Sequence, residues 1–439
     1  MSTNDGPDLE GEPKEENRQS GFLHLFLSLY LPSLAMGLAN GLVLPVLPEL
    51  AKSFGVGVGT ATLVFIAYLA GTAVAPIPTG LLIDRIGRRK VLLAGPCITG
   101  VAALLVARAA IGGTFQELLV YQFIGGIGQQ VWMVSRLSVI ADTGSSGQRG
   151  RQITSMDGLQ QVGILIGPAL GGFLAVTWGI WLPFTVQGIL ILAAIIPSFF
   201  IVKETMIRVP STAHAANLGA PPGGQERRGE TFRAFLKDPI PTVLAIQFLG
   251  NLTRGALGQG GVMILYASYA YNADPAVLGL LRSSTAIVGL PITFSAGYIM
   301  DRFGRKFTLI PSLSLGGACM MFMALTYFAS LPFISFILAF VALHLSMSLM
   351  AGNMQTLGSD VAPAYARGRF FGVSRMVSQS GSLASPSSFA ILSQLVNFGA
   401  AFAFLGGSAL AGAFIVVFIL KETLQKTPNQ TANQPSREI

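Results

Sequence analysis

Polar side chains recur at helical spacing within stretches of the chain that are otherwise apolar. Gln247, Asn251 and Arg254 follow one another at steps of four and three residues, which places them on one face of a helix. Amides and a guanidinium there can recognise a solute in a water-filled cavity, or they can join helices by hydrogen bonds. Three other stretches repeat the pattern, and the candidate solute-binding residues are Arg254, Asn251, Gln247, Asn40, Gln122, Gln129, His344 and Gln355. His344 is alone in its segment, so a hydrogen-bonded structural role is favoured over a proton relay.

Two opposite charges stand at matching depth in neighbouring apolar stretches. Arg136 lies six residues before Asp142 and Asp157 lies six residues after Arg151. At ~1.5 Å per residue, each is therefore ~9 Å inside the boundary that those flanking charges mark. Because an isolated buried ion is expensive, a structural ion pair is the favoured interpretation. A protonation role for Asp157 is the alternative.

Too few charged residues are present to cover soluble domains. The chain has 439 residues, of which 51% are hydrophobic and 11% charged. A soluble domain has roughly 25% charged residues. The basic residues lie in short clusters between apolar stretches, which argues against a nucleic-acid surface and is typical of membrane topology signals. Cys97 and Cys319 lie in apolar runs, so neither a disulfide framework nor a metal site is expected. No Gly-x-x-x-x-Gly-Lys-[Ser/Thr] loop is present, so we expect no ATP-driven step. We also expect no catalytic group and no cofactor.

Twelve apolar stretches are each long enough to cross a bilayer, since a spanning helix needs ~20 apolar residues. Six precede a polar linker at 203–238 and six follow it, and the acidic tail 1–20 is expected to be disordered. The predicted fold is an all-α membrane protein with one bundle at 21–202, a second at 239–420 and a tail at 421–439. The predicted segments 1 to 12 are Phe22–Leu47, Thr60–Leu82, Val91–Ala110, Phe115–Ala141, Gln152–Val176, Ile180–Val202, Ile240–Tyr269, Val277–Met300, Phe307–Ala329, Pro332–Val361, Phe370–Leu395 and Phe398–Leu420.

The positions of lysine and arginine predict the orientation of these segments. If both termini are cytoplasmic, Lys52 and Arg108 are the only basic residues on the outer side of the sequence. Four arginines lie within apolar segments, and the other basic residues fall in cytoplasmic loops and tails, as the positive-inside rule requires. The sequence therefore predicts a multi-pass cell-membrane protein with both termini in the cytoplasm.

The two halves of the chain repeat each other. Gly80–Arg89 recurs 217 positions later as Gly297–Lys306, and Lys203-Glu204-Thr205 recurs 218 positions later as Lys421-Glu422-Thr423. Matched markers at a nearly constant offset predict two pseudo-symmetric six-helix bundles. Parallel repeats of this kind occur in secondary transporters.

The repeated ten-residue loop carries a family signature. Gly-x-x-x-Asp-Arg-x-Gly-Arg-[Arg/Lys] is matched at every defined position in both halves, and on this motif the chain resembles the major facilitator superfamily. The resemblance implies that Asp84 lies at the cytoplasmic mouth, near basic partners and the positive end of segment 11, and latches the two halves. A basic turn that only fixes topology is the alternative. The candidate gating residues are Gly80, Asp84, Arg85, Gly87, Arg88, Asp301, Arg302 and Arg305.

The fifth segment resembles the antiporter signature of that superfamily, Gly-x8-Gly-Pro-x-x-Gly-Gly. Small residues beside a proline predict a bent helix that packs closely, and the resemblance implies export by exchange. A packing face without a transport role is the alternative. Gln122 stands where the superfamily has an arginine, and segments 1, 7 and 10 lack mid-membrane carboxylates, so the usual proton site is not predicted. The residues of the fifth-segment motif are Gly158, Gly167, Pro168, Gly171 and Gly172.

These features predict a secondary active transporter that moves a small organic solute by alternating access, driven by an ion or solute gradient. An efflux antiporter for drugs or metabolites is the favoured form, with the solute, the lipid bilayer and protons as partners. We expect a monomer with no nucleic-acid partner. An organic anion carrier or an uptake symporter is the alternative within the class, because Arg254 is centrally placed. A non-transporting receptor is the alternative outside it, although the linker 203–238 leaves little room for a signalling domain.

Overall fold

The computed structural model describes residues 30–143, 149–201, 239–258, 261–350, 352–362 and 367–422. Within these ranges it does not describe the side chains of Asp84, Ile201, Gln355 and Ser359, nor those of residues 137–143, 149–154 and 367–369. The predicted tail 1–20, the linker 203–238 and most of the tail 421–439 therefore lie outside the described residues. Within the described ranges the chain forms sixteen α-helices and no strand, which confirms the predicted all-α fold.

The first compact unit contains the helices of the N-terminal half together with Ala267–Ser284. Within it, α1 packs against α7 and α8, and α5 packs against α6 and α8. The predicted bundle 21–202 did not include Ala267–Ser284. That stretch, which joins the end of α10 to the start of α11, belongs here because it packs on α7. The helices are α1 (Leu31–Val43), α2 (Leu47–Ser53), α3 (Val58–Val74), α4 (Pro76–Ile86), α5 (Arg88–Gly112), α6 (Phe115–Thr143), α7 (Arg149–Trp178) and α8 (Leu182–Ile201).

The second compact unit repeats the packing of the first. In this unit α9 packs against α15 and α16, and α12 packs against α13 and α16. These are the pairings that α1 and α5 make in the first unit, so the duplicated sequence produces the same helix arrangement twice. The helices are α9 (Ile240–Gly255), α10 (Val262–Tyr271), α11 (Pro275–Phe303), α12 (Lys306–Phe328), α13 (Phe333–Leu349), α14 (Asn353–Val361), α15 (Arg367–Leu395) and α16 (Phe398–Phe418), with α10 and α11 shared between the units.

Three predicted segments, numbers 2, 7 and 10, each consist of two helices, and the helix of segment 1 ends at Val43, before α2 starts at Leu47. Pro48 and Pro76 lie in the first turns of α2 and α4, where a residue without an N–H group is tolerated. The axes of α1 and α2 differ by 42°. Gly352 separates α13 from α14 at a φ of +78°, a conformation that favours glycine. These segments were predicted as continuous helices, and the breaks correct that prediction.

Eight of the twelve segments meet a simple test of length and hydropathy for a membrane span. Seven helical stretches of the described chain pass on their own, and the bent pair α1 and α2 makes an eighth. Segments 7 and 10 are divided into shorter helices, while α6 and α15 carry many polar side chains, including Gln122, Gln129 and Arg136 on α6. Three of the four weaker spans, segments 4, 7 and 10, therefore hold three of the four predicted polar stripes.

Candidate functional site

Arg136 and Asp157 form an ion pair between α6 and α7. Arg136 Nη2 lies 2.8 Å from Asp157 Oδ1, and the guanidinium carbon lies 4.4 Å from the centroid of the Trp132 ring. Arg136 Nη1 donates a long hydrogen bond of 3.5 Å to Ser33 Oγ on α1. The Arg136 side chain is 1% exposed, whereas that of Asp157 is 52% exposed. Arg136 is therefore a buried cation whose balancing carboxylate is half exposed.

The other polar residues predicted for the first unit join helices to one another. Asn40 Nδ2 on α1 donates a hydrogen bond of 3.3 Å to Gln129 Oε1 on α6. Gln129 and Gln122 are both buried. The Asn40 and Gln129 amides thus satisfy part of each other's hydrogen-bonding capacity. This contact fits the alternative role of such residues, which is to join helices by hydrogen bonds.

Gln247 is held on both sides by its neighbours in the second unit. Its Nε2 donates to Met354 O of α14 at 3.1 Å, and its Oε1 accepts from Ser374 Oγ of α15 at 2.7 Å. Asn251 Nδ2 donates to the Gln247 carbonyl at 2.8 Å. Gln247 is buried, so its hydrogen bonds tie α9 to α14 and α15.

The remaining predicted solute-binding residues differ in their surroundings. His344 Nδ1 lies 3.0 Å from Phe340 O, one turn earlier in α13, and the two rings are 4.3 Å apart. Gln355 belongs to α14, and its side chain lies outside the described residues. Arg254 lies in the last turn of α9 and its side chain is exposed. Of these stripes, therefore, Arg254 presents the most accessible charge.

Both copies of the loop motif turn the chain through a glycine. Gly87 follows α4 at a φ of +95°, and Gly304 follows α11 at a φ of +106°. A residue with a Cβ is strained at such a φ, so both turns require glycine. Gly80 and Gly297 have open space around the position of a Cβ, so packing does not account for glycine there.

In the first copy, the structure describes the arginines of the loop but not the aspartate side chain. Arg89 Nη2 donates to Phe199 O at 2.6 Å, which holds the start of α5 against α8. Arg85 is exposed and Arg88 is half-buried. The side chain of Asp84 lies outside the described residues, so its latch role stays a prediction.

The second copy forms a network around Arg305. Arg305 Nη1 lies 2.9 Å from Asp301 Oδ1, and Arg305 Nε lies 3.1 Å from Asp360 Oδ2 near the end of α14. Burial lowers the pKa of Arg305, but hydrogen bonds with Asp301 and Asp360 outweigh burial and raise the pKa above its ordinary value. Arg302 lies apart from this network, is exposed, and donates to Tyr298 Oη at 2.6 Å.

Glu422 caps the helix that follows this loop. It accepts hydrogen bonds from the backbone N–H groups of Arg305 at 2.9 Å and Lys306 at 3.2 Å, at the positive end of α12. Sequence reasoning did not include Asp360 or Glu422 among the site residues. The repeated Lys-Glu-Thr was the available signal for Glu422, because a marker retained in both halves at one offset indicates a shared contact.

Glycines of the fifth-segment motif bring α7 into close contact with two helices of the first unit. A Cβ on Gly171 would lie 1.8 Å from Leu42 O of α1, and a Cβ on Gly167 would lie 2.6 Å from Leu38 O. A Cβ on Gly172 would lie 2.2 Å from Pro275 O at the start of α11. Side chains cannot approach backbone atoms so closely, so α7 needs glycine at these positions.

The two ends of the fifth-segment motif differ in how closely they pack against neighbouring helices. The approach to α11 continues at Pro168, whose carbonyl would lie 2.1 Å from a Cβ on Gly279, and at Ala169, whose N–H donates to Ser283 Oγ at 3.1 Å. Gly158, in contrast, has no atom within 4 Å of an added Cβ. Packing therefore explains the Gly-Pro-x-x-Gly-Gly part of the motif but not its first glycine.

Lys52 ties the end of α2 to the end of α10. Its Nζ lies 2.6 Å from Ser268 O and 3.3 Å from Asn272 Oδ1, and 5.3 Å from the centroid of the Tyr269 ring. Ser268 belongs to the last turn of α10, whose carbonyls have no partner within the helix. Asn272 follows with a φ of +52°. An ammonium at this helix end also opposes the negative end of the helix dipole.

The chain has two helical units with the same internal packing, and its membrane segments contain polar groups. These two features are typical of a polytopic membrane carrier. The chain belongs to the Major Facilitator Superfamily, whose sequence model matches residues 29–258 and 248–438. It is therefore a secondary active transporter that moves a small organic solute across a membrane, and it is not an enzyme.

Comparison with individual proteins places the chain near carriers of several kinds. It is 24% identical over 348 residues to Multidrug resistance protein 2 of Bacillus subtilis (strain 168), covering 76% of this chain and 83% of that protein. It is 24% identical over 285 residues to Quinolone resistance protein NorA of Staphylococcus aureus (strain MRSA252), covering 64% of this chain and 67% of that protein. The crystal structure of a D-xylose-proton symporter aligns with a TM-score of 0.71 at 16% identity, covering 93% of this chain and 100% of that one.

Proposed function

We propose that this transporter exports amphipathic organic solutes of the size of drugs or metabolites in exchange for protons. The observation that carries the proposal is the close packing of the Gly-Pro-x-x-Gly-Gly part of the fifth-segment motif against α1 and α11. The resemblance of that motif to the antiporter signature links it to exchange. The relatives named for multidrug and quinolone resistance support the same direction and solute class. Proton-driven uptake is the second candidate, because a D-xylose-proton symporter shares the fold.

Asp157 is the proton-binding group in this proposal. Its carboxylate is half exposed, so water can deliver a proton, and it balances the charge of the buried Arg136. Protonation removes that balancing charge, and deprotonation restores the pair. A paired and an unpaired state of Arg136 would form a two-state element that a proton gradient can bias.

The loop motifs act as cytoplasmic latches in the same scheme. In the second copy, Arg305 joins the end of α11 to the end of α14 through Asp301 and Asp360. We assign the equivalent task in the first copy to Asp84 and Arg88. The proposal puts both termini in the cytoplasm, which the distribution of Lys and Arg supports, and takes a monomer as the working unit.

Transport by the purified protein in liposomes with an acidic lumen tests the proposal. An antiporter lets protons leave the lumen and accumulates the solute in their place. We expect accumulation of ethidium or the quinolone norfloxacin that a protonophore abolishes, and no accumulation of D-xylose. Solute movement along with the proton flux, out of the acidic lumen, would establish uptake instead and overturn the export proposal.

A double variant tests the role of Asp157. Arg136→Met/Asp157→Ala removes both charges and avoids leaving a buried arginine unpaired. We expect this variant to bind ethidium as the wild type does but to lose accumulation driven by the pH gradient. Asp274→Asn is the matched control, because Asp274 is an exposed carboxylate whose oxygen accepts from Ala276 N–H at 2.7 Å, and asparagine keeps that acceptor. Wild-type accumulation by the double variant would assign Asp157 to the structural pair alone.

A further inference from the structure

Arg254 is the one exposed residue of α9. Every other side chain from Ile240 to Gly255 is buried or half-buried. Within the part of the chain that the structure describes, no hydrogen bond or ion pair reaches its guanidinium. Arg254 lies 14 residues after Ile240, which puts it ~21 Å along the helix, near the middle of the membrane segment. A cation without a partner at that depth needs compensation from water or from a ligand.

The exposed side of Arg254 is not a lipid face. Helices that contact lipid expose large apolar side chains, as α11 does with Leu280 and Phe294, which are 62% and 78% exposed. Between Ile240 and Gly255, α9 exposes no large apolar side chain. A lipid-facing arginine would also be expensive, since placing arginine at the centre of a bilayer costs at least ~2.5–3.5 kcal/mol. The exposure pattern of α9 and this cost therefore both argue against a lipid-facing position for Arg254.

Two other arginines of the membrane segments, Arg136 and Arg375, are compensated in different ways. Arg136 pairs with Asp157 and stacks on Trp132. Arg375 is exposed, but it lies only eight residues into α15 from its cytoplasmic start and stands beside exposed apolar residues such as Met376. A long basic side chain at that depth can extend its charge to the membrane surface. Arg254 has neither an ion pair, as Arg136 has, nor a position from which its charge can reach the membrane surface, as Arg375 has.

The polar neighbours of Arg254 on α9 are already engaged. Gln247 donates to Met354 O and accepts from Ser374 Oγ, and Asn251 donates to the Gln247 carbonyl. Segment 7 is interrupted directly after Arg254, because α9 ends at Gly255. Interrupted helices near the midplane form the solute sites of many secondary transporters. The polar stripe therefore offers one charged group that is free to bind a solute.

We propose that Arg254 binds a carboxylate of the exported solute, so that the transporter prefers zwitterionic or anionic amphiphiles over purely cationic ones. This inference rests on the proposed function and names its solute class. A guanidinium and a carboxylate form two parallel hydrogen bonds in one plane, which lysine cannot reproduce. The competing explanation is that Arg254 only opposes the negative end of the α9 dipole, with water as its partner.

Equilibrium binding to the purified protein in nanodiscs separates these explanations. The probes are norfloxacin, its methyl ester, which lacks the carboxylate charge, and ethidium, which has no anionic group. Arg254→Gln should weaken norfloxacin binding about tenfold to hundredfold, the range for loss of a charge-assisted hydrogen bond, and change binding of the ester and of ethidium less than about twofold. Arg254→Lys should fall between Arg254→Gln and wild type. Arg375→Gln, the control for loss of an exposed arginine, should bind all three probes as wild type does.

The outcomes separate failure of the carboxylate site from failure of the export proposal. Norfloxacin binding by Arg254→Gln at the wild-type level overturns the carboxylate site and returns Arg254 to the helix-end role. An equal loss for norfloxacin and its ester also overturns it, because the ester has no charge to lose. In either case, proton-driven accumulation of ethidium by the wild type would leave the export proposal standing. No binding of any probe by the wild type would overturn both.

Discussion

Removing Asp157 should lower the stability of the protein more than removing its partner Arg136. Asp157→Ala leaves the guanidinium of Arg136, which is 1% exposed, without its balancing charge. Arg136→Met leaves the carboxylate of Asp157, which is 52% exposed, where water can solvate it. We therefore expect Asp157→Ala to destabilise the protein and Arg136→Met to remain close to wild type.

The expected size follows from the burial of the two groups. Removing one partner of a fully buried ion pair costs about 3–5 kcal/mol. Water can replace the half-exposed carboxylate. We therefore expect Asp157→Ala to lower the free energy of unfolding by about 1–3 kcal/mol, as for a buried donor left unsatisfied. Arg136→Met keeps most of the volume beside Trp132 and loses a cation–π contact of about 0.5–2 kcal/mol, which relief of the buried charge offsets. The double variant should be more stable than Asp157→Ala.

Thermal unfolding in one detergent measures this order, with half-lives at a fixed temperature because membrane proteins often unfold irreversibly. Glu117→Ala is the control, since Glu117 pairs with Arg108 at 2.7 Å but the two side chains are 35% and 60% exposed. It should leave the unfolding temperature unchanged. The reasoning is wrong if Arg136→Met lowers stability as much as Asp157→Ala does, or if the double variant recovers nothing.

Three further changes test other parts of the structure. Gly171→Ala should lower transport and protein yield because the added Cβ would lie 1.8 Å from a backbone oxygen of α1, whereas Gly158→Ala, with no atom within 4 Å, should transport normally; equal losses would contradict the packing explanation. Lys52→Met should speed the modification of an Ala273→Cys variant by an impermeant thiol reagent added from outside. The expected increase is about fivefold, because loss of the ammonium contacts lowers the free energy that holds this helix end by about 1 kcal/mol. An unchanged rate would show that the ammonium contacts do not hold this helix end. A cysteine at Gln225 should react only from the cytoplasmic side, and external modification would overturn the predicted topology.

The helical architecture was predictable because it rests on apolar length and an internal repeat. Both signals are properties of the chain alone, and the paired packing of the two units follows from the repeat. The breaks at Pro76 and Gly352 were visible as residue types, but apolar runs continue through them and hid their effect. A proline at the first turn of a second helix cannot be distinguished by composition from one that only bends a continuous helix.

The candidate site was less predictable because partners depend on tertiary packing. The stripe spacing placed Gln247 and Arg254 on one face of α9, but it could not show that Gln247 is held by Met354 and Ser374 while Arg254 is exposed. The depth argument for Arg136 and Asp157 brought the right pair together, since both positions are counted from charged boundaries. It could not show which of the two is buried.

The cap that Glu422 places on α12 sets where the second unit ends along the chain. The glutamate lies beyond the last helix, yet it completes the start of a helix more than a hundred residues earlier. A chain cut after Leu420 would keep all of α16 but lose this contact, so the folding unit extends past its last helix to Glu422. The second unit is therefore closed on itself, because residues beyond its last helix hold the start of a helix in its middle.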